Sequence, residues 1–374
     1  MNEGDLDRWR AAGLIDAETA ERIRQHEAAR GEGPGRFRWP VALAMVAGGL
    51  MLSAGALLFV AAHWEELPPV GRVALLLGCL AASHGAAALA TARFPALSVT
   101  LHAVGTAALG ATVFLMGQTY HLQSRWPDGF LLWALGGWVG WLLLRQWPQA
   151  LYAAVLTPVW VVAEWTARAE RFGTVIPAAP MAGLLCLALV YLHAPRPGRA
   201  SVDATRAALA AIGAVALIPL AIGFRLVLGE IGPIRAWEAP EAFRAASWGL
   251  FLLLPAVPAI ALRGRGLRFP AAGLVWVLAG TLLPSDAGAW SFLWGGAGAL
   301  GVASSGVSEG SRLRINLGVG AFALTVVLFY FSSVLDRLGR SASLLAGGVL
   351  CLVVGWGLER VRRRLVARVP GRVA

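Results

Sequence analysis

Residues 99–116, VTLHAVGTAALGATVFLM, and residues 130–144, FLLWALGGWVGWLLL, flank a single polar interruption, GQTYHLQSRWPDG at 117–129. Neither flank contains Asp, Glu or Arg. Each approaches the ~20 residues that a helix rising ~1.5 Å per residue needs to cross a hydrocarbon core. Neither alternates like a barrel strand, and a backbone in lipid must bond internally, so both read as membrane helices. The interruption is then the place where the chain leaves lipid. Tyr120 and Trp126 suit the headgroup level there, and Pro127-Asp128-Gly129 turns the chain back.

The same pattern extends along the chain. Of its 374 residues, 57% are hydrophobic and 14% charged, and the mean hydropathy is +0.65. Soluble domains carry ~25% charged residues. Spans are expected at 39–62, 70–92, 96–117, 129–145, 148–165, 174–193, 204–223, 246–262, 268–283, 288–306, 313–333 and 341–360. The LPSDAG break within 268–306 leaves the count between ten and twelve. The expected fold is all-α: a polytopic transmembrane helical bundle preceded by a small cytoplasmic helical hairpin. Four regions follow: hairpin and linker (1–38), a first membrane region of about five spans (39–165), a second of about seven (166–360) and a basic tail (361–374).

In DLDRWRAAGLIDAETAERIRQHEAAR (5–30), Gly13 is a natural helix stop and Asp16 a natural cap for the next helix. Its apolar residues are too few for an independent core, so the hairpin is expected to rest on the membrane domain or on another copy. The first 38 residues are too long and too charged for a signal peptide, which keeps the first span in the mature protein.

All 32 basic residues are arginine. With the N-terminus in the cytoplasm, 23 fall on the cytoplasmic side and 9 on the other, as the positive-inside rule requires. Both termini are then cytoplasmic, and VRRRLVAR (361–368) meets anionic lipid. The net charge of +11 would suit nucleic acid, but the hydropathy argues for membrane lipid as the partner instead. Cys79, Cys186 and Cys351 lie scattered in apolar runs and read as packing residues. No phosphate-binding glycine loop, HExxH, G-x-S-x-G or CxxC occurs, so neither a cofactor nor a catalytic residue is expected.

Two polar clusters fall on the non-cytoplasmic side, and two readings of each stand. HWEELPP (63–69) is an interfacial turn with Trp64 at the headgroups, or it turns Glu65 and Glu66 toward a cavity. GQTYHLQ (117–123) is a helix end, or it lines a pocket with polar groups near membrane depth. The candidate ligand-binding set is Trp64, Glu65, Glu66, Gln118, Tyr120, His121 and Asp128. Within spans, His84 and His102 read as interhelical hydrogen-bonding residues before proton carriers. Glu164 can pair with Arg168 one turn on, and Asp286 sits in the break between two short helices.

The succession GLID (13–16), LLFVAAHWEELPP (57–69), GQTYHLQ (117–123) and PDGFLLWAL (127–135) resembles the bacterial predicted membrane proteins of domain-of-unknown-function family 2157, over about residues 5–165. The resemblance implies a multi-pass bacterial inner-membrane protein. It transfers no catalytic residue.

The expected role is a non-enzymatic binding or transport protein with an outward polar vestibule, taking a small lipophilic or neutral ligand. The alternative is a membrane scaffold or envelope sensor that binds a protein partner, or itself, through residues 5–30. An intramembrane enzyme would need His121 together with Glu65 or Glu66.

Overall fold

The computed structural model describes residues 9, 12–23, 51, 66–120, 125–172, 178–194, 200–228, 240–263, 267–283, 288–333 and 340–367. The chain divides into two compact units, residues 1–72 and 73–374.

In the first unit, Gly13 adopts a left-handed φ of 67°, and the Leu14 N–H closes back on the Trp9 carbonyl at 3.0 Å. This six-to-one closure satisfies a carbonyl at a helix end, and glycine makes it without a Cβ penalty. Helical residues resume at Ala17, where the Thr19 N–H donates to the Asp16 carboxylate at 2.8 Å. The bonds from Thr19 hold the Asp16 carboxyl below its ordinary range. The expected stop and cap are therefore both formed. The rest of the hairpin and linker, the first expected span apart from Met51, and His63, Trp64 and Glu65 lie outside the described residues.

From there the described residues form the helices α1 (Pro69–Ala90), α2 (Pro95–Thr119), α3 (Trp126–Leu144), α4 (Trp147–Ala169), α5 (Ala178–Leu192), α6 (Ala200–Leu226), α7 (Glu241–Leu253), α8 (Ala256–Arg263), α9 (Arg268–Thr281), α10 (Ala289–Ser308), α11 (Arg312–Ser333) and α12 (Arg340–Ala367). No strand occurs among the described residues. Every expected span from residue 70 onward coincides with a helix, or in one case with the pair α7–α8.

Proline and left-handed residues set the boundaries. Pro95, Pro127 and Pro148 stand in the first turns of α2, α3 and α4, where the missing N–H costs nothing. α10 ends when Gly310 takes a φ of 67° and the Ser311 N–H bonds the Gly306 carbonyl at 2.7 Å. α3 ends on Arg145 with a φ of 54°, the one left-handed residue other than glycine among those described.

Among the described residues, seven helical segments are long and apolar enough to cross a membrane: α1, α2, α3, α4 with its short 3₁₀ extension, α6 from Ala204, α7–α8 to Leu262, and α11. Their outer surfaces are apolar. Leu89 is 88% exposed, Leu143 77% and Val215 77%. Large aliphatic side chains displayed along whole helices are the surface of a protein solvated by lipid.

α5 behaves differently. It has 15 residues, nearly all of them buried, and it packs against α6, α7, α8 and α9. At about 22 Å by its rise, it is shorter than the ~30 Å core. It is the interior helix around which the second half assembles, through Leu185, Leu189, Phe224, Val277 and Trp294.

Close contacts rest on small residues. A Cβ on Gly213 of α6 would lie 2.4 Å from the Ala188 carbonyl oxygen of α5. A Cβ on Gly318 of α11 would lie 2.5 Å from the Ala303 nitrogen of α10. Apolar burial supplies little force between helices in lipid, so this backbone proximity is what dispersion and weak polar contacts act through.

Candidate functional site

Two constructions inside the helical region carry chemistry. The first is a polar network across α1 to α4. The His84 and His102 Nδ1 atoms stand 2.9 Å apart, with ring centroids 5.2 Å apart. A bond between two such nitrogens requires one to carry its proton and the other to accept. Gly105 gives the His84 ring its room, because a Cβ there would meet the ring at 2.5 Å.

One turn along α2, the Thr106 hydroxyl lies 2.8 Å from Gln149 Oε1 and 3.1 Å from the His102 carbonyl. Gln149 is fully buried, and its amide donates to the same carbonyl at 3.1 Å. The Trp133 indole donates to the Thr106 carbonyl at 2.8 Å, and the Tyr152 hydroxyl to the Ala103 carbonyl at 3.1 Å. Each donor finds an acceptor on another helix, so the network fixes the register of α2 against α3 and α4. No group of three or more metal-ligating side chains occurs among the described residues.

The second construction is a cavity of about 470 Å³ among α6, α9, α10 and α11. Its inner end is lined by Leu217, Val302 and Leu317. At its other end stand Arg225, in the last turn of α6, and Ser291, in the first turn of α10. Arg225 donates to the Gly280 carbonyl at 3.1 Å and to Ser291 Oγ at 3.0 Å. One wall is the stacked pair Trp276 and Trp294, with centroids 4.2 Å apart and planes 7° apart. Each indole N–H donates to the other residue's carbonyl, at 2.9 and 2.8 Å, which locks the rings in place. Ile222, Leu226, Leu324 and Leu328 line the cavity and remain exposed, forming an apolar rim. A smaller cavity of about 350 Å³ lies against Ala103, Trp133 and Tyr152.

The described members of the sequence-predicted set lie outside both cavities. Gln118 is exposed in the last turn of α2, Tyr120 is 44% exposed at its C-cap, and Asp128 is half-buried in the first turn of α3. Glu66 is exposed in the turn before α1. His121, like Trp64, Glu65 and Asp286, lies outside the described residues. The α2–α3 connection thus gathers Gln118, Tyr120 and Asp128 at one end of two helices, but none of them lines either cavity.

This connection is anchored by Arg125. Its guanidinium reaches both Glu164 oxygens, at 2.8 and 2.7 Å, and Arg168 adds the expected pair at 2.8 Å. Hydrogen bonding to Glu164 pushes the Arg125 guanidinium further above its ordinary value.

Residues 7–150 match the family described as "Predicted membrane protein (DUF2157)". No curated protein and no solved structure matches the chain. The DUF2157 region holds the whole network except Tyr152, while the cavity lies beyond it.

Gln149 escaped the sequence reading because it follows Trp-Pro at a helix start, where an amide reads as interfacial. Arg225 lies two residues past the expected span 204–223 and is one of the nine arginines assigned to the non-cytoplasmic side. A charge in the last turn of an otherwise apolar span was the available signal.

Proposed function

We propose that this protein is a non-enzymatic, multi-pass protein of the bacterial inner membrane that binds a lipophilic small molecule from the bilayer, with both termini in the cytoplasm. The cavity among α6, α9, α10 and α11 carries this reading. Its volume of about 470 Å³ lies within the ~300–1,000 Å³ of small-molecule sites. Its lining is dominated by apolar and aromatic side chains with a few polar groups at one end, the composition such sites share. Its rim is apolar, so a ligand already dissolved in lipid enters without crossing water. The arginine distribution supports the orientation. The polar α2–α3 connection is then an outward-facing cap held by Arg125 and Glu164.

Gly295 lines the cavity, and a Cβ there meets only Thr325 at 3.5 Å, so a larger side chain at 295 projects into the space without displacing backbone. Protein released from membranes in mild detergent and weighed by native mass spectrometry tests the reading. One lipophilic adduct is expected on the wild type and none on Gly295→Leu. Equal adducts on both would place the bound molecule elsewhere.

A further inference from the structure

We infer that His84 and His102 form a proton-operated clasp, which binds α1 to α2 until both rings are charged and then releases it. The pair lies in the DUF2157 region and lines neither cavity, so the clasp stands apart from the lipophile site.

The Nδ1 atoms, 2.9 Å apart, share one bond and need one proton for it. In the neutral pair one ring donates from Nδ1 and leaves its Nε2 bare. The other accepts at Nδ1 and carries its own proton on Nε2. The first proton taken up goes to the bare Nε2, and the bond survives as a charge-assisted one. The second has only the accepting Nδ1 left to go to. Two N–H groups then face each other on cationic rings whose centroids lie 5.2 Å apart. The bond is lost, and like charges repel strongly where water is scarce. The two rings therefore titrate as one unit.

Among the described residues, each ring feels no charge but the other's. Helix α2 carries no charged residue, and α1 carries only Arg72, in its first turn. Cys79 is exposed on α1, and Arg93 in the α1–α2 connection stands over the Phe94 ring. From α3 and α4 the network presents Trp133, Gln149 and Tyr152, and the Tyr152 hydroxyl is bonded to the Ala103 carbonyl. Asp128 stands in the first turn of α3. Glu164 is paired with Arg168, fifteen residues along α4 from Gln149, about 22 Å.

Among the described residues, little else holds α1. Ala87 is its one buried residue. The His84 ring fills the gap between the helices, in the room that Gly105 leaves. Beside the connection, the Thr91 and Ser98 hydroxyls bond at 3.0 Å. His84 lies six residues before the end of α1, about 9 Å, and His102 seven after the start of α2, about 10 Å. Opening the pair leaves Thr91 and Ser98 as a pivot, about which the part of α1 around Leu77 swings away from α2.

Spin labels on the full-length protein in lipid nanodiscs test the clasp. Leu77→Cys on α1 and Ala111→Cys on α2 carry them, both at exposed positions, in a background lacking the native cysteines. Double electron–electron resonance reads their separation across the histidine range, from about pH 8 to about pH 4. One short distance is expected at the alkaline end. On acidification a second distance, longer by several ångströms, should grow into the major population. His102→Asn places an amide near the Nδ1 position. An amide accepts from a charged His84 and donates to a neutral one, so this variant should keep the short distance at every pH. His84→Ala should show the long distance already at the alkaline end.

Size-exclusion profiles matching wild type establish that each variant is folded. If His84→Ala does not fold, wild type and His102→Asn decide. A wild-type distance that does not change with pH overturns the clasp. So does a His102→Asn variant that opens with the wild-type profile, or a folded His84→Ala that stays short.

Discussion

Replacing Gln149 with leucine isolates the contribution of the buried network in the DUF2157 region. The change removes two interhelical hydrogen bonds, Gln149 Nε2 to the His102 carbonyl and Thr106 Oγ1 to Gln149 Oε1. It keeps most of the side-chain volume. It leaves no buried orphan on α2, since the Thr106 hydroxyl retains the His102 carbonyl at 3.1 Å. Interhelical hydrogen bonds within membranes average ~0.6 kcal/mol and reach ~1.7. Two of them give a loss of about 1 kcal/mol, roughly a fivefold shift in the unfolding equilibrium.

Thr106→Val removes one bond of the pair, and the double variant completes a cycle whose coupling energy is expected near 0.6 kcal/mol. Gln149→Ala should cost more, about 2 kcal/mol or above, because a cavity is added to the lost bonds. Steric-trap unfolding in bicelles measures all five proteins, wild type included, in lipid. A coupling energy indistinguishable from zero, or a Gln149→Leu variant more stable than wild type, would show that the network does not hold α2 to α4.

Gly318→Val drives a side chain against the Ala303 backbone of α10 and should cost about 1–3 kcal/mol. Gly320→Val meets nothing within 4 Å and should be close to neutral in the same unfolding assay. Arg145 holds a left-handed φ at the end of α3, so Arg145→Gly should be tolerated while the β-branched Arg145→Val loses about 1–2 kcal/mol, read as a lower melting temperature. The Asp16 cap has a carboxyl held below its ordinary range, so its stabilisation is present above the unfolded value and disappears as pH falls through the folded one. Amide exchange at Thr19, corrected for intrinsic pH dependence, should lose protection on acidification in wild type and at neutral pH in Asp16→Ala.

Hydropathy made the helices legible because solvation by lipid constrains every residue of a span. Leu89, Leu143 and Val215 carry the same message in the sequence as on the surface. Local chemistry made Gly13 and Asp16 legible, since a left-handed stop and a carboxylate cap involve only a few consecutive residues. The pairing of Glu164 with Arg168 was legible for the same reason, being one helical turn apart.

What needed three dimensions was partnership across helices. Arg125 finds Glu164 across 39 positions, and Gln149 finds His102 across 47. His84 and His102 were expected to bond between helices, yet nothing in either span says that they bond each other. The cavity was invisible because its walls are the glycines, leucines and tryptophans that also build ordinary packing. Only the polarity of its end around Arg225 left a trace in one dimension. Of GQTYHLQSRWPDG, the described residues Gln118, Tyr120 and Asp128 stand at helix ends outside the cavity, which lies in the later helices.

Single cysteines placed in a background lacking Cys79, Cys186 and Cys351 test the membrane arrangement most directly. Positions 93, 125, 145 and 170 flank α2, α3 and α4 in turn. With the protein expressed in bacterial spheroplasts, a membrane-impermeant maleimide should modify Arg125→Cys and Glu170→Cys from outside. Arg93→Cys and Arg145→Cys should react only after permeabilisation. Equal labelling of positions 93 and 125 from the same side would mean that α2 does not cross the bilayer, and would contradict the account.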